Sequence, residues 1–386
     1  MYLIKRLLVL CFCLTFMTGV AFAKDKRLKA GFIYVGPVGD NGWSHAHDEG
    51  RQFAAKKLPW LDTVYIESVS EADAPRIIDR LVQEEKCNVI FTTSFGYMDA
   101  TIAAGKKYPN TIFMHCSGFK RSKNVGTYFG DLYQMYYLNG LMAGALTKSN
   151  KAGYVAAYPI PELVRHINAY ALGIKAVNPE ATVDVRWTYT WGGPDKAKEA
   201  AEALIAEGCD ALAFTNDTPS VIEVGEEHCK RGQQVYTFSH YSPMQKYGED
   251  SVVSGQLMNW GGMYVKILKD IHNGKWGKQD KDIWWLTAQN AAILGASPGQ
   301  IINPKFVNAL KAVKVTTRDF GKISVYDLVL KRYAEMQKGV NVFDPYEGPV
   351  KDNKGNLRIK KGQSASRKEL LNIMYYVDNI KGAIPE

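Results

Sequence analysis

Short apolar runs alternate with amphipathic segments along most of this chain. The first apolar run, "KAGFIYVG", predicts a strand, and the spacing of apolar residues predicts a helix from Trp43 to Lys57. After Ser149–Lys151 the whole alternation begins again with "AGYVAAYP". Continuous apolar strands between amphipathic helices are typical of a parallel sheet covered on both faces. The sequence therefore predicts an α/β fold with two doubly wound parallel-sheet lobes joined by a hinge.

The last third of the chain has a different pattern. "SVVSGQLMNWGG" predicts a crossing back to the first lobe, and "WWLTAQNAAIL" predicts short strands. Helices are expected at Pro304–Ala312 and Val325–Gln337, followed by a hairpin at "VKDNKGNLRI" and a helix from Arg367. We expect lobe one to comprise residues 24–148 and about 258–386, with the tail after Ile301 wrapped around it, and lobe two to comprise residues 149–257.

The beginning of the chain predicts export. Lys5 and Arg6 precede an apolar stretch from Leu7 to Val20, and "AFA" resembles a small-residue cleavage site, so residues 1–23 are expected to be a cleavable signal peptide. A retained anchor helix is the alternative, but the stretch is short for a membrane span. Cleavage would lower the formal charge from +9 to +7. The predicted signal peptide indicates a soluble periplasmic protein. Because the sequence has no arginine-rich run, we do not expect it to bind nucleic acid.

Four cysteines follow the predicted signal peptide. An oxidising compartment permits disulfides. Cys209 begins a predicted strand and Cys229 ends the next helix, so both would lie at the same edge of a parallel sheet. A bridge between them is compatible with this placement, and so are two free thiols. Cys87 and Cys116 belong to opposite edges, and we expect both to be buried and reduced.

Aromatic, amide and carboxylate side chains recur where the predicted strands end. Ligands of open α/β sheets bind outside the carboxyl ends of the strands, and two facing edges would enclose a ligand in a cleft. Aromatic faces can stack on a flat heteroaromatic ring, while Asp or Asn hydrogen-bonds to its edge. The alternative is ordinary packing at the sheet ends. The residues expected to bind the ligand are Asp40, Asn41, Trp43, Phe95, Tyr97, Trp191, Asn216, Asp217, His240 and Tyr241.

Signals for catalysis are weak. We find no dinucleotide-binding glycine fingerprint, phosphate loop or nucleophile elbow in the sequence. His45 and His47 would point to different faces of a helix, which argues against a metal site. We therefore expect no enzyme activity, no cofactor and no metal. A nucleoside-processing enzyme is an alternative, for which His240 with Asp217 is the one candidate pair.

The chain resembles the basic membrane protein (BMP) family of ABC-transporter solute-binding proteins, which includes purine nucleoside receptors. The likeness rests on "GFIYVGPVGDNGW", "IFTTSFGYMDATIAAGKKYPNTIFMHCSG", "NGLMAGALTKSNKAGYVAA" and "LLNIMYYVDNIKG", in that order. The resemblance implies a type I periplasmic-binding-protein fold and delivery of a purine-type solute to an inner-membrane permease. It also implies that Trp43 and Trp191 hold the two faces of the base and that Tyr97 lines the site.

Two departures from the family pattern concern the ribose. Family members that bind nucleosides carry an aspartate pair and a lysine facing the ribose, whereas His240, Tyr241 and Met258 stand at about those places here. The hypothesis is a free nucleobase, adenine before other purines, with Asn41, Asp217 and Asp40 at the ring edge. A nucleoside receptor of the same family and a sensor for a receptor kinase are the alternatives. The expected partners are the purine and the permease, and the expected state is a monomer.

Overall fold

The structure, a computed structural model, describes residues 27–278, 281–339 and 343–385 and contains two six-stranded sheets. In chain order the strands are β1 Leu28–Ile33, β2 Leu61–Ile66, β3 Val89–Thr92, β4 Ile112–Cys116, β5 Val125–Gly130, β6 Lys151–Ala156, β7 Thr182–Trp187, β8 Ala211–Phe214, β9 Tyr236–Tyr241, β10 Val252–Met258, β11 Asp282–Trp285, β12 Ala292–Leu294, β13 Lys314–Thr317, β14 Gly321–Ser324, β15 Val350–Lys351 and β16 Leu357–Ile359.

Helices connect these strands and cover both faces of each sheet. They are α1 Trp43–Lys57, α2 Ala74–Gln83, α3 Met98–Lys107, α4 Tyr133–Leu146, α5 Pro161–Val177, α6 Pro194–Ala206, α7 Ser220–Lys230, α8 Trp260–His272, α9 Pro304–Ala312, α10 Val325–Lys338 and α11 Arg367–Leu370. Several begin where the sequence supplies a cap. Asn303 accepts from the backbone N–H of Lys305 at the start of α9, and Ser366 with Glu369 forms a capping box at α11.

The order of the strands confirms the predicted fold class. The first sheet runs β11-β5-β4-β3-β1-β2, and all its pairs are parallel. The second runs β12-β10-β9-β8-β6-β7, with only β12 antiparallel to its neighbour. The inner strands are buried on both faces, which explains their continuous apolar sequences.

The chain crosses between the sheets three times: after β5, after β10, and between β11 and β12. Hydrogen bonds join the crossing segments, from Asp131 N to Trp285 O (2.9 Å) and from Asn259 N to Ala291 O (2.8 Å). Beside them, the buried Asp131 carboxylate pairs with Arg165 Nε (2.8 Å) and with His166 Nε2 (3.0 Å). These three segments connect the two lobes.

Two expectations about the lobes are corrected. Helix α4 precedes the expected boundary at residue 149, yet it packs on α5 and the second sheet. The two helices approach closely at Gly140 and Gly173, where an added Cβ would lie 2.1 Å from a carbonyl oxygen of the facing helix. Every residue of α4 is buried, so its sequence has no polar stripe that indicates which lobe it packs on, and the expected boundary was placed too late in the chain.

The tail after Ile301 packs mainly on lobe two, not on lobe one as expected. Helices α9 and α10 contact α4, and Asn168 of α5 donates to Tyr375 O (2.8 Å). Val183 of β7 forms a parallel bridge with Ile380. One link reaches lobe one, where Arg367 Nη2 lies 2.6 Å from Asp282 Oδ1. The tail packs on lobe two because α4 and α5 present the surface that it covers.

Two further expectations concern the cysteines and membrane segments. Cys209 and Cys229 are both free, so the bridge between them is not formed. The Cys229 thiol instead contacts the carbonyl oxygen of Val235 (3.3 Å), while Cys209 is buried in the lobe-two core. Cys87 and Cys116 are buried and free. Within the described ranges, no helix is both long and apolar enough to span a bilayer. The predicted signal peptide, residues 1–23, lies outside the described residues.

Candidate functional site

A small cavity lies where the carboxyl ends of both sheets face each other. We call it the ring cavity; its free volume of about 20 Å³ holds about one water molecule, so a flat ligand requires the lobes to stand further apart than in this structure. Four aromatic and six other residues from both lobes line it: Val35, Trp43, Thr93, Ser94, Phe95, Ser117, Glu162, Trp191, Asp217 and Tyr241. The structure thus brings together five of the ten predicted site residues, namely Trp43, Phe95, Trp191, Asp217 and Tyr241.

Trp43 forms one wall because it is the first residue of α1, directly after the loop that follows β1. Its indole Nε1 donates to the carbonyl oxygen of Thr93, which fixes the plane of the ring. Edge-to-face contacts with Trp260 (5.3 Å between centroids) and Tyr241 (5.1 Å) hold it from the sides. Trp43 is therefore a rigid part of the wall rather than a loose surface side chain.

Trp191 comes from lobe two, on the loop between β7 and α6. Its carbonyl oxygen accepts from the backbone N–H of Asp217 (2.7 Å), and its ring packs against Tyr158 (5.1 Å between centroids). Asn216 does not line the cavity. Its amide donates to Thr188 Oγ1 (2.8 Å) and Thr190 O (3.0 Å), so it holds the loop that carries Trp191.

Contacts between the lobes close the cavity on one side. The backbone N–H of Trp43, at the start of α1, donates to Asp217 Oδ1 (3.1 Å). Helix α1 has no side-chain cap of its own, because the preceding residue is Gly42. Asp217 therefore caps a helix of the opposite lobe, where the helix dipole and free N–H groups favour an acceptor. This bond exists only while the lobes are closed.

Asp40 and Asn41 lie beside the ring cavity rather than in its wall. Both line an adjoining cleft of about 400 Å³, the outer cleft, which shares Val35, Trp191 and Asp217 with the ring cavity. Asn41 Nδ2 donates to the Tyr247 hydroxyl of lobe two (3.0 Å). The expected contact of Asn41 with a ring edge is thus replaced by a bond between the lobes.

The carboxyl groups around the cavity are electrostatically unusual. Burial raises the pKa of Asp40 to about 6 and that of Glu162 to about 7. Burial, with the charge of Asp40 adding to it, raises the pKa of Asp217 well above its usual value. Perturbed carboxyls in a cleft are typical of functional sites. Near neutral pH this cluster retains protons that exposed carboxyls would lose.

The backbone is strained around the same cleft. Among the residues that line these cavities, three other than glycine have positive φ: Asn41 (60°), Ser117 (64°) and Tyr241 (62°). All three follow or end strands at the carboxyl edges of the sheets. Such conformations cost about 1–3 kcal/mol each and cluster at ligand sites.

Two more predicted site residues point away from the ring cavity. Tyr97 is fully buried, and its hydroxyl donates to Val69 O (2.6 Å), because the turn Phe95–Tyr97 directs it into the lobe-one core. His240 lies behind the wall with Nδ1 3.1 Å from the Tyr136 hydroxyl, and burial lowers its pKa well below the usual range. No hydrogen bond joins His240 to Asp217 in the described part of the chain. The candidate pair of the enzyme alternative is therefore not formed there.

The sequence analysis missed five lining residues: Val35, Thr93, Ser94, Ser117 and Glu162. Glu162 was visible among the strand-end residues, as the last letter of "YPIPE", and its carboxylate was the available signal. At Glu162 the ring cavity meets a larger one of about 310 Å³, the side chamber, which shares Phe95 and Ser117 with it. Met258, expected near a ribose, lines neither of these two cavities.

Known proteins share the sequence pattern and the fold of this chain. Residues 27–303 match the family described as Bmp, ABC transporter substrate-binding protein PnrA-like. A purine-binding protein of Brucella abortus is 33% identical over 96% of this chain and 98% of its own length. This chain belongs to the Bmp family. A putative ABC transporter glucose-binding protein of Haloferax volcanii is 39% identical over 68% of this chain and 65% of its own.

Solved structures agree on the fold of this Bmp protein. A solute-binding protein of an ABC transporter from Aeropyrum pernix matches 81% of the chain and 92% of its own, with a TM-score of 0.67 at 18% identity. One from Conexibacter woesei matches 82% and 99%, with a TM-score of 0.59 at 16% identity. The homologues and the fold are those of solute-binding proteins. Within the described ranges, no cluster of His, Cys, Asp or Glu side chains fits a metal ion.

Removing one aromatic wall should weaken ligand binding by this Bmp protein. Base–aromatic stacking contributes about 1–3 kcal/mol per face, so Trp43→Ala and Trp191→Ala are each expected to lower the affinity by about tenfold. Calorimetry with the natural ligand would measure this. Trp60→Ala is the matched control, because Trp60 stacks on His272 at the opposite edge of the first sheet. Unchanged affinity in both cavity variants would show that the indoles only pack the sheet ends.

Acidification should favour closed lobes in the ligand-free protein. Open lobes would let water reach Asp40, Asp217 and Glu162, returning each pKa towards its usual value. Because closure raises these pKa values, its stabilisation is complete below the usual values near 4 and is lost as the pH rises through about 6 to 7. Small-angle X-ray scattering should give a smaller radius of gyration at pH 5.0 than at pH 7.5. The opposite change would contradict the prediction, and Glu162→Gln should reduce the difference.

Proposed function

We propose that this chain is the receptor of an ABC importer for a free purine base, with adenine favoured. The observation that carries the proposal is the ring cavity, where Trp43, Phe95, Trp191 and Tyr241 surround a space that also exposes Asp217. Aromatic walls favour a flat ring, and a carboxyl group at one end offers hydrogen bonds to its edge. The purine-binding relative from Brucella abortus supports the same ligand class.

The protonation of Asp217 favours adenine among the purines. Its Oδ1 already accepts from the Trp43 N–H, and its raised pKa favours the neutral acid, whose other oxygen carries a proton. A neutral carboxyl group donates one hydrogen bond and accepts another. The amino edge of adenine offers the complementary pair, an N–H donor beside a ring-nitrogen acceptor. Guanine presents its N1–H beside its amino N–H, a pair of donors that an ionised carboxylate would suit better.

The remaining parts of the proposal follow from the family. We propose that residues 1–23 direct export to the periplasm, that the protein acts there as a monomer without a cofactor, and that the closed form docks on an inner-membrane permease. Closure would shield the ring from water, which strengthens the hydrogen bonds at its edge. A sensor that docks on a receptor kinase would use the same closed form.

A nucleoside is the second candidate, and one observation favours it. The side chamber of about 310 Å³ opens beside Glu162 and has room for a sugar. His240 and Met258 line neither the ring cavity nor the side chamber, so only Tyr241 of the three expected residues occupies space at the ring. Ribose exclusion therefore cannot rest on His240 and Met258.

The test is to denature the purified protein and identify the released small molecules by mass spectrometry, with calorimetry for adenine, adenosine and glucose. A released purine base and tighter binding of adenine than of adenosine would support the proposal. Tight adenosine binding with weak adenine binding would contradict the free-base assignment. Glucose binding without purine binding would replace the purine by a sugar, the ligand class in the name of the Haloferax volcanii relative.

A further inference from the structure

Glu162 occupies a position that the proposed function leaves without a role. It lies in the first turn of α5, directly after Pro161, and lines both the ring cavity and the side chamber. Burial raises the pKa of Glu162 to about 7, and the nearby charge of Arg165 acts against this rise. No hydrogen bond to its carboxyl group is formed among the described residues. It therefore retains acceptor capacity that faces the cavities.

Glu162 and Asp217 stand at opposite ends of the ring cavity. Asp217 also lines the outer cleft, whereas Glu162 also lines the side chamber. The outer cleft and the side chamber share no lining residue, so they open from different ends of the ring cavity. A planar ligand that meets Asp217 with one edge consequently presents its other edge to Glu162.

We propose that Glu162 accepts a hydrogen bond from the imidazole-ring N–H of a purine base and so discriminates against purines substituted at that nitrogen. The inference rests on the proposed function, in which Asp217 meets the amino edge of adenine. The edge that remains carries the ring N–H, and a nucleoside replaces this hydrogen by its sugar. Glu162 supplies the acceptor that this hydrogen requires.

The side chamber explains why a carboxylate is needed for this discrimination. A substituent on the imidazole nitrogen would point past Glu162 into a space of about 310 Å³, so steric exclusion alone would be weak. A substituted purine instead leaves the Glu162 carboxylate without its partner in an enclosed site. Sites built to hydrogen-bond a ligand N–H reject analogues that lack it far more strongly than apolar pockets reject extra volume.

The test compares adenine with 9-methyladenine by calorimetry, in the full-length processed protein. We expect the wild-type protein to prefer adenine by at least about 30-fold, and Glu162→Ala to reduce this ratio by at least about tenfold, mainly by weakening adenine. Glu162→Gln, which keeps an acceptor oxygen, should fall between the two. The matched control is Glu180→Ala, an exposed glutamate before β7, which should leave the ratio unchanged.

The outcomes separate this inference from the proposed function. Wild-type protein that binds neither purine would refute the proposed function. Wild-type protein that binds adenine and 9-methyladenine equally, or whose preference survives Glu162→Ala, would overturn the role of Glu162 alone. A Glu162 variant that merely perturbed the fold would weaken both ligands by the same factor, and an unchanged ratio would count against the inference.

Discussion

Asp217→Ala should lower the affinity for the ligand by about 30- to 700-fold. The variant removes the carboxyl group that we propose meets the ring edge, a loss of about 1–3 kcal/mol, and leaves the Trp43 N–H without its acceptor, a further loss of about 1 kcal/mol. Both interactions belong to the closed form, so their loss makes the binding free energy less favourable by the sum of the two contributions. Calorimetry with adenine measures the change, and Asp195→Ala is an exposed control of the same residue type.

Asp217→Asn distinguishes the two protonation states of this side chain. An amide donates and accepts as a neutral carboxyl group does, so adenine affinity should stay within about tenfold of the wild type if Asp217 acts as the neutral acid. The amide can also accept from the Trp43 N–H. A loss as large as that of Asp217→Ala would mean that the ionised carboxylate binds the ligand, and adenine would then lose its advantage over guanine.

Gly42→Ala should lower the affinity by about 10- to 100-fold through the lobe interface alone. A Cβ placed on Gly42 would lie 2.6 Å from Cα of Asp217 in the opposite lobe, a contact that needs a backbone shift. Overpacking of this kind costs about 1–3 kcal/mol. Because the contact exists only between closed lobes, the cost falls on closure and not on the folding of either lobe.

Gly39→Ala is the matched control for this variant. Gly39 belongs to the same loop, but nothing lies within 4 Å of a Cβ added there. Both variants should melt at about the wild-type temperature without ligand, and only Gly42→Ala should lose the ligand-induced compaction seen by small-angle X-ray scattering. Equal binding by Gly42→Ala and Gly39→Ala would show that ligand binding does not require this approach of the lobes.

Local patterns predicted the elements of the fold well but not their partners. Helix α1 begins at Trp43 and ends at Lys57 as the apolar spacing indicates, and the second βαβ series repeats the first. The packing of α4 on lobe two was not predicted, since every face of this helix is buried and no polar stripe orients it. The hairpin β13–β14 was missed because its strands are short and largely exposed.

The sequence predicted those site residues whose place in the fold, directly after a strand, is enough to bring them to the cleft. Trp43 and Trp191 follow strand ends beside glycines, and both line the ring cavity. His240 and Tyr241 show the limit, because adjacent residues of a strand point to opposite sides and the sequence does not state which side faces the cavity. Tyr97 shows another limit. It follows a strand end, but the 3-10 turn that contains it directs its side chain away from the ring cavity.

The pairing of the tail with β7 also affects whether copies of the protein associate with one another. β7 is the last strand of the second sheet, and Val183 exchanges hydrogen bonds with the tail, accepting from Lys381 (2.9 Å) and donating to Asn379 (3.0 Å). An uncovered strand edge is a template for pairing with another chain. A shortened chain comprising only the family-matched residues 27–303 would expose this edge, and concentrated solutions of it should self-associate edge to edge.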